Sequence, residues 1–259
     1  MIQKKDFLLN QMIKEYIRCQ EPIGSESLKV SLGVKISSAT IRNYFKILGE
    51  EGVIMQTHIS SGRIPTPMAL RNFWRSTLNP AQLCPVIIDS DKIAKNCEKF
   101  EVTCVIKPII TQKLIEVIEV EQKAIVLVFE HDRIAIPFIP NMAHFCQELV
   151  GLHVDDIRKI AKDVCAKHLA EALCSLKSAP KIHFFGLQFL DELLAHQPEV
   201  VLAILQGDIF SQTKNNIFFP NNGNYIVIAH NAIFKDNESE MLCIGKLQKD
   251  YEMFYQHIA

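Results

Sequence analysis

Apolar residues recur at helical spacing near the start of the chain. In residues 5–19 they lie three or four positions apart, with charged residues between them. These apolar positions are Leu9, Met12, Ile13, Tyr16 and Ile17. One apolar face of this period predicts an amphipathic helix. Pro22 ends the helix, because proline disfavours helical backbone in the residue before it.

Two further helices are predicted from their capping residues. Ser25 caps a short second helix, which Gly33 is available to end. Ser37 or Ser38 caps a third helix, which runs to about Glu51. Two short helices, a tight turn and a third helix are typical of helix-turn-helix proteins.

The pattern then changes from helical spacing to alternation. Alternation in residues 53–59 predicts a strand, and a Ser/Gly turn with a returning strand completes a β-hairpin. Thr66-Pro67 then begins a fourth helix. A helix-turn-helix followed by a hairpin is a winged helix. We therefore predict a winged-helix domain in residues 1–79 and a second domain in residues 80–259.

The second domain alternates between strand-like and helix-like runs. Strands are predicted over residues 102–110, 114–120, 123–130, 133–140, 181–186 and 224–230. Helices are predicted over residues 144–150, 155–176, 187–206 and 249–258. This mixture predicts an α+β fold, and the short gaps between several strands predict an antiparallel sheet.

The third helix presents polar side chains on one face. With Ile41 at zero on a helical wheel of about 100° per residue, Phe45 and Leu48 fall within about 40° of it and face inward. Hydrogen-bonding side chains occupy the opposite side. They are Arg42, Asn43 and Lys46. These groups suit the DNA major groove, since Arg and Lys recognise guanine and Asn recognises adenine. A solvated polar face is the plainer interpretation of the helix taken alone.

The neighbouring segments favour DNA. Serine and threonine crowd the start of the third helix, where free backbone amides favour a phosphate. The hairpin carries a histidine and an arginine beside its turn, and the small turn residues allow the backbone to approach a sugar-phosphate chain. The predicted DNA contacts are Ser37, Ser38, Thr40, Arg42, Asn43, Lys46, His58, Ser60, Ser61 and Arg63.

Charge is distributed unevenly along the chain. Residues 1–80 carry 11 lysines and arginines against 6 acidic residues, a net of +5. Residues 81–259 carry 17 against 23, a net of −6. A basic module on an acidic body is typical of polyanion-binding proteins.

The longest apolar run, residues 124–129, is too short to span a membrane, and the N-terminus lacks a signal peptide's apolar stretch. We expect a cytoplasmic protein.

The sequence gives little support for a metal site or for catalysis. The 8 cysteines are scattered without a C-x-x-C pair and are expected to be reduced. Cys165 and His168 are three apart and could share a helix face, but a metal would need further ligands from elsewhere. None of the sequence signatures of nucleophilic hydrolases, P-loop proteins, zinc proteases or dinucleotide-binding proteins occurs. We therefore expect no enzymatic activity, no cofactor and no metal.

Several strings carry a family resemblance. The sequences EPIGSESL, SSATIRN, EEGVI and SSGRIPT resemble those of the HrcA family of heat-inducible transcription repressors, which are winged-helix proteins. The resemblance covers residues 7–75 well and is weaker in the C-terminal part. Tyr44, Thr57 and Ser61 depart from the residues usual in the family. The chain is also shorter than typical members, so the family's inserted dimerisation segment is expected to be shortened.

The resemblance implies a specific function. Members of the family repress chaperone operons by binding double-stranded DNA as homodimers, at an inverted-repeat operator called CIRCE. Their C-terminal part resembles a GAF domain, and the GroE chaperonin keeps the repressor active. The resemblance thus implies a winged helix-turn-helix followed by a GAF-like α+β domain. An alternative is a winged-helix regulator whose GAF-like half senses a small ligand, with His183, His230 or Cys243 lining its pocket.

Overall fold

The structure is a computed structural model of the chain. It describes residues 2–33, 36–58, 62–83, 86–109, 112–176, 181–211, 216–220 and 223–258. The N-terminal elements are α1 (Ile2–Cys19), α2 (Ser25–Leu32), α3 (Ser38–Glu50), β1 (Ile54–Met55), β2 (Ile64–Pro65) and α4 (Pro67–Thr77). The predicted helices are therefore confirmed, whereas the first hairpin strand is shorter than its alternating pattern suggested.

The first three helices share a small apolar core. It is formed by residues that recur at helical spacing. Among them are Met12 of α1, Leu28 of α2, and Ile41 and Leu48 of α3. Ile54 of β1 closes this core from the hairpin side. The periodicity that predicted each helix therefore corresponds to the face that the helix buries.

A larger sheet follows. Its strands are β3 (Val86–Ile88), β4 (Thr103–Pro108), β8 (His183–Phe185), β9 (Ile217–Phe218), β10 (Tyr225–Phe234) and β11 (Asn237–Lys246). Its helices are α5 (Ser90–Phe100), α9 (Asp191–His196), α10 (Pro198–Gln206) and α11 (Tyr251–Ile258). In the described residues the strand order is β3-β10-β11-β4-β8, with β9 paired to β10.

The expected antiparallel pairing holds for only part of this sheet. β10 and β11 form a long antiparallel hairpin, and β4 pairs antiparallel with β8. β3 instead lies parallel to β10, so this sheet is mixed, whereas an antiparallel sheet was predicted. Short gaps predict antiparallel pairing only between consecutive strands, and β3 and β10 are far apart in sequence. β11 was not predicted, because Glu238, Ser239 and Glu240 interrupt its apolar pattern.

Residues 108–181 form a second compact unit, separate from the unit of residues 1–107 and 182–259. Its antiparallel sheet has the order β5-β6-β7, and helices cover one face. The strands are β5 (Leu114–Val120), β6 (Ala124–Phe129) and β7 (Arg133–Pro137), and the helices are α6 (Pro140–Glu148), α7 (Val154–Asp163) and α8 (Lys167–Cys174). The division at residue 79 stays a prediction, since the N-terminal elements and the larger sheet lie in one unit.

Two long helical runs are interrupted in the structure. The run predicted over residues 155–176 divides into α7 and α8 at Cys165, whose φ of 55° is left-handed. The run over residues 187–206 divides before Pro198, which begins α10. In the described ranges no helix is long and apolar enough to cross a membrane.

Candidate nucleic-acid interface

The start of α3 is fixed by a side-chain cap. The Ser37 hydroxyl accepts a hydrogen bond from the backbone N–H of Thr40 at 3.1 Å, and the Ser37 and Thr40 hydroxyl oxygens lie 2.8 Å apart. Of the two serines considered for the cap, Ser37 therefore has this role. Ser38 is only 7% exposed, so little of this residue reaches the surface.

The outward face of α3 is the one that the helical wheel predicted. Phe45 and its apolar neighbours are buried, while Arg42, Asn43 and Lys46 are exposed. Arg42 Nε donates to the backbone carbonyl of Ser38 at 3.4 Å, which directs the guanidinium along the first turn. A guanidinium, an amide and an ammonium group thus share one solvent-facing surface.

The hairpin is tied to the segment between α1 and α2. β1 and β2 pair antiparallel, and Arg63, just before β2, forms a bridge with Ile23. Ile23 N donates to Arg63 O at 2.8 Å, and Arg63 N donates to Ile23 O at 2.9 Å. His58 is exposed before the turn, whereas Ser60 and Ser61 lie outside the described residues. The backbone of Arg63 is therefore held on the N-terminal core.

The backbone pairing of Arg63 with Ile23 requires a glycine at position 62. A Cβ at Gly62 would lie 2.6 Å from the carbonyl carbon and oxygen of Ile23 and 2.8 Å from the carbonyl carbon of Pro22. The approach of the small turn residues to DNA stays a prediction. The structure places Gly62 against the protein's own backbone. The contact joins segments about forty residues apart, so no local pattern indicated it.

A groove that is open to solvent lies between these elements. It lies between the exposed face of α3, the start of α2 and the hairpin, and Arg42, Lys46 and Arg63 all line it. Gln56 lines the same groove and was not among the predicted contacts. Glu50, at the end of α3, also lines the groove. Three cationic side chains thus outnumber one carboxylate among the described lining residues, and the net positive charge suits a phosphate backbone.

An ion pair connects the far end of α3 to α1. Lys5 Nζ donates to both carboxylate oxygens of Glu51, at 2.6 and 2.8 Å. The hydrogen bond to Glu51 raises the pKa of Lys5. Glu51, where the third helix was predicted to end, is thus paired with a residue of α1. An exposed pair of this kind adds little stability, so its main consequence is to restrain the end of α3.

The side chains named for a ligand pocket belong largely to the core. His230 is 2% exposed; its Nδ1–H donates to the carbonyl of Asn231 at 2.8 Å, and its Nε2 accepts from the Tyr255 hydroxyl at 3.1 Å. Burial lowers the pKa of His230. Cys243 is fully buried, and His183 packs edge-on against Phe234. These three side chains therefore give no support to the small-ligand alternative.

The cysteines of the described residues are free thiols. Cys97, Cys104, Cys146 and Cys243 are buried free thiols, whereas Cys165 is exposed at the end of α7. Among the residues that the structure describes, no group of three or more His, Cys, Asp or Glu side chains could hold a metal ion.

Comparison with known proteins identifies the family. Residues 74–259 match the model of the HrcA C-terminal domain. The heat-inducible transcription repressor HrcA of Helicobacter pylori strain J99 is 34% identical over 259 residues, which cover 100% of this chain and 95% of that protein. HrcA of Helicobacter pylori strain 26695 is 33% identical with the same coverage. HrcA of Corynebacterium diphtheriae is 48% identical over 71 residues, or 27% of this chain and 21% of that protein.

A solved structure shares the fold. The crystal structure of a hypothetical protein superposes with a TM-score of 0.50 and 16% identity, covering 98% of this chain and 95% of that one. At this identity the similarity concerns the fold alone. The family match and the full-length relatives confirm the resemblance that the sequence motifs indicated. This chain therefore belongs to the HrcA family of heat-inducible transcription repressors.

Proposed function

We propose that the chain represses chaperone genes by binding an inverted-repeat operator of the CIRCE type as a homodimer in the cytoplasm. In this proposal residues 1–79 act as a winged helix, and α3 enters the major groove. The observation that carries it is the shared groove, where Arg42 and Lys46 of α3 lie beside Arg63 of the hairpin. A base-reading helix next to a cationic hairpin is the arrangement that sequence-specific DNA binding needs.

Each side chain has a distinct part in the proposal. Arg42 and Asn43 recognise base edges, because their groups form paired hydrogen bonds with guanine and adenine. Ser37, Thr40 and the backbone of Ser38 bind a phosphate at the start of α3. Lys46 contacts guanine or phosphate. On the hairpin, His58, Ser60, Ser61 and Arg63 contact the sugar-phosphate backbone or the minor groove.

The sheet of residues 108–181 supports the homodimer. Its outer face carries a row of paired residues, Ile118, Val126 and Ala135. The adjoining row consists of Val120, Ala124 and Pro137. Ile118 and Val120 are 41% and 42% exposed, respectively, although the opposite sheet face is covered by helices. We propose that this face packs against a second copy, because a twofold dimer presents two recognition helices to a palindrome.

Chaperonin feedback completes the proposal and rests on membership of the family. In this scheme the larger sheet with its helices is the GAF-like half, and GroE keeps the repressor competent for DNA. Sequestration of chaperonin by unfolded proteins then lowers the competent fraction and releases the chaperone genes. Binding of a partner to one state of the repressor shifts its population by mass action.

An operator titration tests the function directly. The purified chain is titrated by fluorescence anisotropy against a duplex carrying the CIRCE repeat and against a scrambled duplex, at two salt concentrations, with and without GroE. We expect tight binding to the repeat alone and an increase with GroE. Equal, steeply salt-dependent binding to both duplexes would refute sequence-specific recognition. Sequence-specific binding without a GroE effect would refute the feedback.

Arg63→Ala is expected to weaken binding to cognate and scrambled DNA alike. It removes a cation from the hairpin, so the slope of log K against log salt should decrease by about 1. Arg18→Ala is the matched control, since it removes an equal charge from α1, where Arg18 pairs with Glu15. A salt slope equal to that of the unmodified chain would exclude Arg63 from the DNA contacts.

A further inference from the structure

Helix α4 joins the DNA-reading elements to the larger sheet. We call α1–α3 with β1 and β2 the reading head, and the β3-β10-β11-β4-β8 sheet with α5 and α11 the body. The buried face of α4 consists of Ala69, Leu70, Phe73 and Trp74. These residues belong to one apolar core that also includes Ile13 and Ile17 of α1 and Tyr251 of α11. Head and body thus share a continuous core within one compact unit.

Trp74 makes the central contact of this joint. Its ring is 1% exposed, and its Nε1–H donates to the backbone carbonyl of Leu247 at 2.7 Å. The ring also packs edge-on against Tyr251, with centroids 5.2 Å apart and planes at 87°. A buried indole with its N–H satisfied has one orientation, so the bond fixes the rotation of α4 against the body.

The partner surface of Trp74 is itself restrained. The Tyr251 hydroxyl donates to the backbone carbonyl of Lys246 at 2.9 Å. A Cβ at Gly245 would lie 2.6 Å from that hydroxyl, so the absence of a side chain there admits the tyrosine. The end of β11, the start of α11 and the middle of α4 therefore interlock through close contacts.

Two arginines on the same face of α4 add polar contacts to the body. Arg71 Nη1 donates to the carbonyl of Gly223 at 3.3 Å. The Arg75 guanidinium lies 4.8 Å from the centroid of the Phe219 ring. Arg71, Trp74 and Arg75 are spaced by three and four residues, so a single strip of α4 makes all three contacts. A flexible linker between head and body would not form such a strip.

We infer that the α4 joint fixes the orientation of each reading head on its own body and thereby limits the operator spacings that the dimer accepts, and that Trp74 and Arg71 are positioning residues for this spacing. This inference rests on the proposed function. DNA turns once in about 10–10.5 base pairs, so two recognition helices fit a palindrome only when its arms have the matching spacing. A rigid joint reduces the number of spacings that the repressor accepts, whereas a loose joint accepts more of them at lower affinity.

The test compares spacing selectivity with binding to one arm. Three duplexes are used: a single arm of the repeat, the complete CIRCE repeat, and the same repeat with about five base pairs added between its arms, which rotates one arm by about half a turn. The variant Trp74→Phe/Arg71→Lys removes the indole N–H and the guanidinium while keeping an aromatic ring and the positive charge. Asn72→Ala, on the exposed side of α4, is the control.

We expect the unmodified chain and Asn72→Ala to prefer the natural spacing by about tenfold or more, and the double variant by only about twofold, because the joint loses the indole hydrogen bond and the rigid guanidinium contact. Single-arm affinity should stay unchanged in all three proteins. Unchanged spacing preference in the double variant would overturn the inference. An equal loss of single-arm affinity would also overturn it, since the joint would then only support the folded head.

Two further measurements keep the outcome interpretable. Far-ultraviolet circular dichroism establishes that each variant is folded. Trp74 is the single tryptophan of the chain, so its emission reports on the joint in the Arg71→Lys variant. A red-shifted emission together with relaxed spacing is expected. If the unmodified chain does not distinguish the repeat from scrambled DNA, the proposed function fails, and that failure is visible before any variant is compared.

Discussion

Arg42→Ala is expected to weaken binding by about 1–3 kcal/mol at each half-site of the operator, or roughly 5- to 150-fold in affinity per half-site. The guanidinium is exposed on α3 and lines the groove shared with the hairpin. In the proposed complex it forms two hydrogen bonds with one guanine, and alanine leaves that base edge without a partner. Discrimination at that base pair should therefore decrease, as measured by titration of single-base operator variants.

Two controls separate base recognition from charge. Arg42→Lys retains the positive charge but cannot form the paired contact, so it should restore non-specific affinity without restoring discrimination. Arg18→Ala removes one charge from α1 and should leave discrimination intact. If Arg42→Ala lowered affinity for operator and scrambled DNA by the same factor, Arg42 would be a phosphate contact instead.

Gly62→Ala is expected to destabilise the hairpin by about 1–3 kcal/mol, the range of a steric or backbone defect. The added Cβ would lie 2.6 Å from backbone atoms of Ile23, and backbone cannot rotate away as a side chain can. Both hydrogen bonds between Ile23 and Arg63 are therefore expected to lengthen or break. DNA affinity should decrease as well, since Arg63 would leave its position beside α3. Urea denaturation measures the stability, and operator titration measures the affinity.

Gly49→Ala provides the matched control for stability. Gly49 lies near the end of α3, and a Cβ there would meet no atom within 4 Å. Alanine favours helical backbone over glycine, so this variant should gain about 0.5–1 kcal/mol. Opposite signs for the two substitutions would support the close approach at Gly62. A neutral Gly62→Ala variant would show that the Pro22–Ile23 segment can move without loss.

The sequence determined the local features of the reading head. Helical periodicity predicted the inward positions of α3, and the same period placed Arg42, Asn43 and Lys46 outside, where the structure has them. Capping residues located the start of α3, and Thr66-Pro67 located the start of α4. These features depend on backbone hydrogen bonding and burial within a few residues, so a short stretch of sequence contains the information needed to predict them.

The body was less predictable from the sequence. β11 is a central strand of the larger sheet. Its N-terminal half is polar, so it lacks the apolar pattern that would have predicted a strand. β3 was missed because its three residues are too few to establish a pattern. The separate unit of residues 108–181 also went unrecognised, since its strands and helices resemble those around it. A hydrophobic pattern indicates that one face of a strand or helix is buried, but it does not identify which element covers that face.

Only the tertiary structure decided which distant segments meet. Gly62 packs against Ile23, Glu51 pairs with Lys5, and Trp74 donates to the carbonyl of Leu247, 173 residues further along the chain. Each contact joins groups whose local sequence is compatible with many partners, and the compact packing of the whole chain selects one of them. Local sequence is therefore sufficient to predict the helices and the polar face proposed to bind DNA, whereas long-range packing fixes the position of that face.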